Sequence, residues 1–244
     1  MIKLEKTYVD GWEATIRGMR NPMNSWDKSD SGFGCGNDKE YFCENCSSSF
    51  HCTSRTTTTY NIGSNDLKLM RTLCKAGSDH RKFMRMINVS VDITAPLYWY
   101  KELDTYKVGT VANSCSTMHK IHAKEFTLDD FSHEHLITGE KPLVEGGTDA
   151  PEPPNAIWLI HRTIQTLNQY RDLYLQTKDK KYWWQMIQLL PSSYNQKRTV
   201  QFNYEVLYNI YNARCTHKLD EWKDFCNWIE ELPYFNEITQ IKGD

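Results

Sequence analysis

The sequence predicts an α/β protein of the α+β type, in which helices wrap a mainly antiparallel sheet. Two stretches alternate apolar with polar residues as half-buried strands do, namely residues 1–10 (MIKLEKTYVD) and 88–94 (NVSVDIT). Apolar residues recur at helical spacing in longer segments, of which 156–176 is the longest. We therefore expect the two strands to belong to one sheet, with the helices packed around it.

The composition limits the classes of protein to consider. Hydrophobic residues make up 39% of the 244 residues and charged residues 25%, which is ordinary for a globular protein. The formal charge of -2 gives no general attraction to nucleic acid, so no nucleic-acid partner is expected. No run approaches eighteen apolar residues and the N-terminal stretch lacks the apolar core of an export signal, so we expect a cytoplasmic protein without membrane contact. The 13% of aromatic residues favours an oligomer.

A basic and aromatic set lies near the N-terminus. Residues 11–20 are predicted to form a short helix, and the polar residues 21–31 a loop. The set belongs to these two segments and consists of Arg17, Arg20, Trp26 and Lys28. It is either a ligand-facing group or part of a solvated connector, and the sequence leaves both interpretations open.

The segment 33–60 is rich in Gly, Asn and Ser. It holds four cysteines and a histidine beside the last of them: Cys35, Cys43, Cys46, His51 and Cys52. Without an export signal the thiols are expected to be reduced. The C-x-x-C spacing lets Cys43 and Cys46 reach one tetrahedral metal, which predicts a structural zinc on Cys35, Cys43, Cys46 and Cys52, with His51 as a substitute ligand. The alternative is a long exposed loop, since the outer spacings match no standard zinc motif.

Further helices are predicted from apolar residues at helical spacing: 64–77, 80–87, 156–176, 181–190, 203–214 and 219–231. Ser64 is expected to cap the first of them and Gly77 to end it. Pro191 is expected to stop the helix 181–190, because proline cannot continue a helix.

The stretch from Ala95 to His119 (APLYWYKELDTYKVGTVANSCSTMH) combines a proline-led helix with a polar run. The helical pattern breaks after Gly109. The following residues are rich in hydroxyl and amide side chains, which favour caps and turns because they bond to backbone groups. Such a run suits a polar ligand, and the alternative is a polar connector after a buried helix.

This stretch resembles the signature region of the flavin-dependent thymidylate synthases. That family carries Arg-His-Arg and then Ser-x-Asn-x-x-Ser-x-Arg-Tyr, both after a proline-led helix. Asn113 and Ser116 keep the Asn-x-x-Ser spacing, and His119 stands where the family has tyrosine. The Arg-His-Arg is not kept, and Lys107 is the one cation at its place.

The resemblance implies the fold of the thymidylate-synthase-complementing proteins, as a single domain over 1–244 with a Cys-rich insertion at 33–60. In that family reduced FAD, methylenetetrahydrofolate and dUMP combine to make dTMP. The resemblance therefore implies a FAD-dependent methyltransferase, a flavoprotein of nucleotide biosynthesis that uses NADPH. It also implies a homotetramer with active sites between subunits. The flavin carries the chemistry, so Cys115 is not needed as a nucleophile.

The resemblance also implies site residues at the positions that match the family's motifs. The cofactor-binding set is His80, Tyr106, Lys107 and Asn113. The substrate-binding set is Lys107, Ser116, Thr117, His119 and Arg214. Arg214 would be the catalytic residue that approaches the pyrimidine, with Trp222 as its packing partner.

The loss of two arginines leaves alternatives open. An arginine grips phosphate with two parallel hydrogen bonds, whereas a lysine offers a point charge. Either other cations compensate, from Arg81, Lys101, Lys120 and Arg214, or the ligand has changed. The alternatives to a divergent thymidylate synthase are a catalytically altered or inactive nucleotide-binding homologue and an oligomeric interaction protein on the same fold.

Overall fold

The computed structural model describes residues 2–35, 58–138 and 155–241. The strands are β1 (Lys3–Asp10), β2 (Gly32–Cys35), β3 (Thr58–Asn61), β4 (Asn88–Pro96), β5 (Val111–Ser114) and β6 (Asn195–Asn203). The helices are α1 (Trp12–Arg20), α2 (Ser64–Lys75), α3 (Leu97–Leu103), α4 (Thr117–Lys120), α5 (Ala156–Thr177), α6 (Lys180–Leu189), α7 (Tyr204–Arg214), α8 (Asp220–Glu230) and α9 (Phe235–Thr239). No helix in these ranges combines the length and the apolar character needed to cross a membrane.

The predicted fold class is confirmed, because the protein combines helices with an antiparallel sheet. The four-stranded sheet has the order β1-β4-β6-β5, so the two strands predicted from alternation are hydrogen-bonded neighbours. Strands β5 and β6 were not predicted. In β6 the buried Val200 and Phe202 do alternate with less buried residues, but Lys197 and Arg198 interrupt the apolar pattern before them.

Two helix predictions need correction. Ser64 does not cap α2, because Gly63 occupies the capping position. The capping group is instead the carboxylate of Asp30, which accepts hydrogen bonds from the backbone amides of Asn65 (2.8 Å) and Asp66 (3.0 Å). The helix predicted at 80–87 is a 3₁₀ helix over Arg81–Met86.

Contacts divide the chain into two compact units. Unit 1 comprises residues 1–5, 92–107 and 112–200, and unit 2 comprises 6–91, 108–111 and 201–244. All four strands of the larger sheet, β1, β4, β5 and β6, contribute residues to both. The single domain predicted over 1–244 stays a prediction.

The core of unit 1 forms around α5 and α6. Its buried members are Ile121, Phe126, Phe131, Ile160, Ile164, Leu167 and Met186. The α5 residues are spaced three and four apart, which places them on one helix face. The side chain of Asn168 fixes the incoming chain, since it bonds both the backbone amide of Phe126 (2.8 Å) and its carbonyl oxygen (2.9 Å).

The core of unit 2 is aromatic. Helix α8 buries Trp222, Phe225 and Ile229 on one face, and α7 buries Tyr204 and Leu207. Large aromatic side chains contribute much apolar area per residue, which explains how these short helices pack stably.

Candidate functional site

The signature segment begins with aromatic residues of α3, two of which are buried. Trp99 and Tyr100 of α3 are almost fully buried. The Tyr100 hydroxyl donates to the carbonyl oxygens of Ile93 (2.7 Å) and Gln196 (3.2 Å), and burial raises its pKa. Tyr100 therefore anchors α3 to strands β4 and β6.

The polar run after α3 is exposed. Asn113 lies in β5, whose four residues all face solvent. Ser116 caps the short α4, because its Oγ accepts a hydrogen bond from the backbone amide of His119 at 3.1 Å. Ser116, Thr117 and His119 thus belong to α4 and its cap, and the cap leaves the Ser116 hydroxyl proton able to donate to a ligand.

Lys107 follows α3 and is exposed. In the described ranges its ammonium group makes no hydrogen bond or ion pair, and the same holds for Lys120 at the end of α4. Tyr106, the neighbour of Lys107, is half-buried. Lys107 and Lys120 are thus two cations of this segment whose charge no described residue balances.

Strand β6 supports the signature segment through hydrogen bonds to Cys115. It also contributes two cations, Lys197 and Arg198, that the sequence pattern did not indicate. The backbone amide of Cys115 donates to the carbonyl oxygen of Lys197 (2.9 Å), and Gln196 Nε2 donates to the carbonyl oxygen of Cys115 (2.9 Å). The guanidinium carbon of Arg198 lies 3.8 Å from the centroid of the Tyr100 ring. The alternation of Val200 and Phe202 was the signal that could have revealed this strand.

Both β6 cations are neutralised by carboxylates. Arg198 Nη1 pairs with Asp104 at 2.7 Å, and Lys197 Nζ pairs with Asp92 at 3.2 Å. The hydrogen bond from Lys197 to Asp92 raises the pKa of the lysine. Neither cation could counter a phosphate charge without competing with its present partner.

In unit 2, His80 and Arg81 lie where α2 leads into the 3₁₀ helix. The exposed His80 occupies the capping position of that helix. Arg81 Nε binds both carboxylate oxygens of Glu205, at 3.1 and 2.9 Å, and its guanidinium lies 4.8 Å from the centroid of the Tyr208 ring. Arg81, a candidate to compensate for the lost arginines, is therefore already held by Glu205.

Arg214 is the last residue of α7. Its guanidinium carbon lies 5.1 Å from the centroid of the ring of Trp222, which is completely buried in α8. A guanidinium over an indole face is a favourable cation–π arrangement. The contact fixes the direction of the Arg214 side chain from within unit 2.

Gly109 connects α3 to β5 in a backbone conformation that favours glycine, with φ +78. A Cβ at this position would lie 2.7 Å from Nδ2 of Asn203. Asn203 caps α7, because its Oδ1 accepts a hydrogen bond from the amide of Val206 at 3.0 Å. The turn that leads into the signature segment and the start of α7 are thus coupled through Gly109.

We expect Gly109→Ala to lower the free energy of unfolding by about 1–2 kcal/mol for the left-handed backbone and by about 1 kcal/mol more for the displaced cap. Gly77→Ala is the matched control, since Gly77 has φ +102 but an added Cβ would meet nothing within 4 Å. Urea unfolding of both variants measures the difference. Equal losses would show that the contact with Asn203 contributes nothing.

The predicted zinc ligands fall largely outside the described residues. Cys35 is the last residue of β2, which pairs antiparallel with β3, whereas Cys43, Cys46, His51 and Cys52 lie beyond the described ranges. Within those ranges no group of three or more His, Cys, Asp or Glu side chains could hold a metal ion. The structural zinc stays a prediction that metal analysis of protein purified without chelator can test.

Comparisons with known proteins support a fold and no closer relation. No protein-family model matches the chain, and no curated protein matches its sequence. The chain is similar to a crystal structure of the flavin-dependent thymidylate synthase ThyX from Helicobacter pylori in complex with FAD and dUMP, with a TM-score of 0.62 and 12% identity over 97% of each chain. A second structure of the Helicobacter pylori enzyme with FAD and dUMP gives a TM-score of 0.61 and 12% identity over 98% of this chain and 97% of that one. The protein therefore has the flavin-dependent thymidylate synthase fold, as the signature segment predicted.

Proposed function

We propose that this protein is a divergent flavin-dependent thymidylate synthase that methylates dUMP to dTMP. The methyl donor would be methylenetetrahydrofolate, the reductant NADPH and the cofactor FAD, in a homotetramer. The observation that carries the proposal is the shared fold along 97% of the chain with a structure that holds FAD and dUMP. The polar run of the signature segment is exposed and contains Ser116, the cap of α4, which supports a ligand role for this part of the chain.

The residues of the predicted cofactor set fit the polar groups of FAD. Lys107 supplies a cation for a phosphate that has no ion-pair partner among the described residues, and Tyr106 and Asn113 supply hydrogen-bonding groups. His80 adds an exposed imidazole in unit 2. When bound, FAD would supply the hydride chemistry, and the protein would bind and orient the reactants.

The residues proposed for dUMP have distinct roles. The ammonium of Lys107 would counter the phosphate, and the hydroxyl groups of Ser116 and Thr117 would donate to its oxygens. His119 would add a ring nitrogen from the same short helix. Arg214, oriented by Trp222, would donate to a pyrimidine carbonyl oxygen and stabilise the negative charge that develops there.

A second candidate is a nucleotide-binding homologue without flavin chemistry. The observation that favours it is the neutralisation of three cations, Arg81 by Glu205, Lys197 by Asp92 and Arg198 by Asp104. FAD carries two phosphate groups and dUMP carries one. Lys107 and Lys120, which have no ion-pair partner in the described part of the chain, balance a single nucleotide better than they balance both ligands.

An absorbance spectrum of the purified protein with added FAD, followed by calorimetric titration with dUMP, separates the candidates. Bound flavin together with dTMP formation supports the enzyme. Binding of dUMP without bound flavin supports the nucleotide-binding homologue. If neither ligand binds, both candidates fail and the interaction protein on this fold takes their place.

A further inference from the structure

Unit 2 contains a cavity of about 380 Å³ beside α1. Four residues of one helix face line it, at spacings of three and four: Glu13, Ile16, Arg17 and Arg20. Trp26 and Tyr60 also line the cavity. The volume falls within the range of small-molecule sites. No residue proposed above for FAD or dUMP lines this cavity.

Arg20 makes the wall rigid. This side chain is almost fully buried, and its three nitrogens donate to Asp66 Oδ1 (2.6 Å), to the carbonyl oxygen of Ser25 (3.1 Å) and to the carbonyl oxygen of Lys28 (2.9 Å). The segment 25–28 is therefore fixed before any ligand arrives. A preformed wall removes the ordering cost that a flexible loop would add to binding.

Two aromatic rings give the cavity flat apolar surfaces. Trp26 is 50% exposed, and its Nε1 donates to Asn21 Oδ1 at 2.8 Å, which holds the indole in place. Tyr60 packs edge-on against Phe33, with ring centroids 5.0 Å apart. Burial, followed by the charges of Asp66 and Glu13, raises the pKa of Tyr60, so its hydroxyl stays protonated and can donate. Such rings favour a planar aromatic ligand.

The charges of the cavity are opposite and balanced. Glu13 and Arg17 are four residues apart on α1, and within the described part of the chain neither makes a hydrogen bond or an ion pair. The charge of Arg20 is compensated by Asp66. A phosphate dianion would meet one available guanidinium and one repelling carboxylate. A ligand that carries both a carboxylate and an ammonium group would satisfy Arg17 and Glu13 together.

We propose that this cavity binds a small aromatic zwitterion of the amino-acid class. Its carboxylate pairs with Arg17, its ammonium group with Glu13, and its ring packs against Trp26 and Tyr60. The assignment is independent of nucleotide binding, because it uses none of the residues proposed for that function.

Calorimetric titration of the full chain with three related probes tests the assignment. L-tryptophan carries both charges, indole-3-propionate lacks the ammonium group and tryptamine lacks the carboxylate. We expect Arg17→Met to weaken binding of L-tryptophan and indole-3-propionate by at least about tenfold and to leave tryptamine unchanged. Glu13→Gln should weaken L-tryptophan and tryptamine and leave indole-3-propionate unchanged.

Lys28→Met is the matched control, since Lys28 is an exposed cation of the same segment that does not line the cavity. It should leave all three affinities unchanged. Arg17 and Glu13 are exposed, so their variants should keep the thermal midpoint of the wild type. The proposal is overturned if L-tryptophan shows no saturable binding up to about 10 mM, if Arg17→Met has no effect, or if either single-charge probe binds as tightly as L-tryptophan.

Discussion

Asp66→Ala is expected to lower the free energy of unfolding by about 3–5 kcal/mol, the typical result of breaking a buried ion pair. Asp66 is completely buried and pairs with Arg20, whose side chain is 5% exposed. The substitution would leave a buried guanidinium without its counter-charge. It would also remove the acceptor of the Ser29 and Ser31 hydroxyl groups, which donate to Asp66 at 2.8 and 2.7 Å.

Chemical denaturation measures this loss, and Lys223→Ala provides the control. Lys223 pairs with Asp220 on the exposed surface of α8 at 2.7 Å, so its removal should change stability by less than about 1 kcal/mol. A loss in Asp66→Ala no greater than that of the control would mean that the buried pair does not stabilise unit 2.

The same pair predicts a pH dependence. Burial raises the pKa of Asp66, but hydrogen bonds from Ser31, Ser29 and Arg20 outweigh it and hold the pKa below its ordinary value. A pKa that is lower in the folded state means that the charged carboxylate contributes stability, which is fully present above the unfolded pKa of about 3.9. That stability is lost as the pH falls through the folded pKa. The gap in unfolding free energy between wild type and Asp66→Asn should therefore be constant near neutral pH and narrow below about pH 4.

Periodicity was sufficient to predict the elements whose pattern is uninterrupted. β1 and β4 followed from alternation, and α5 was predicted over 156–176 and observed over Ala156–Thr177. β6 was missed because Lys197 and Arg198 occupy positions where an alternating strand would carry one apolar residue. Both residues reach carboxylates outside the strand, so their presence in it is explained only by tertiary partners.

The sequence did not reveal which charged residues form ion pairs, because the partners are far apart in the chain. Arg20 lies 46 residues from Asp66, Arg198 lies 94 from Asp104, and Arg81 lies 124 from Glu205. No local spacing rule relates residues so distant in the chain, because such rules describe neighbours on one helix or one strand. The sequence could therefore name candidate cations for a phosphate, but not which of them already have a carboxylate partner. Because Arg81 is held by Glu205, Lys107 and Lys120 are stronger candidates to bind a phosphate.

Lys107→Ala and Arg214→Ala are each expected to weaken dUMP binding by at least about tenfold. A hydrogen bond to a charged group contributes about 1.5–3 kcal/mol, which corresponds to about a tenfold to hundredfold change in affinity. Lys107 is exposed and unpaired in the described chain, so its loss should affect the ligand and not the fold. Arg214 also packs on Trp222, so the thermal midpoint of Arg214→Ala must be measured beside its affinity.

Cys115→Ala is the control for both variants. Cys115 is exposed in the signature segment, and the hydrogen bonds that hold it there come from its backbone, to Lys197 and Gln196. Removing its thiol should therefore leave dUMP affinity unchanged, since the proposed chemistry needs no cysteine nucleophile. Calorimetric titration of the three variants with dUMP, with and without FAD, measures the effects. An affinity that falls equally in Lys107→Ala and Cys115→Ala would mean that the segment matters for its shape alone, and the proposed phosphate contact would then be wrong.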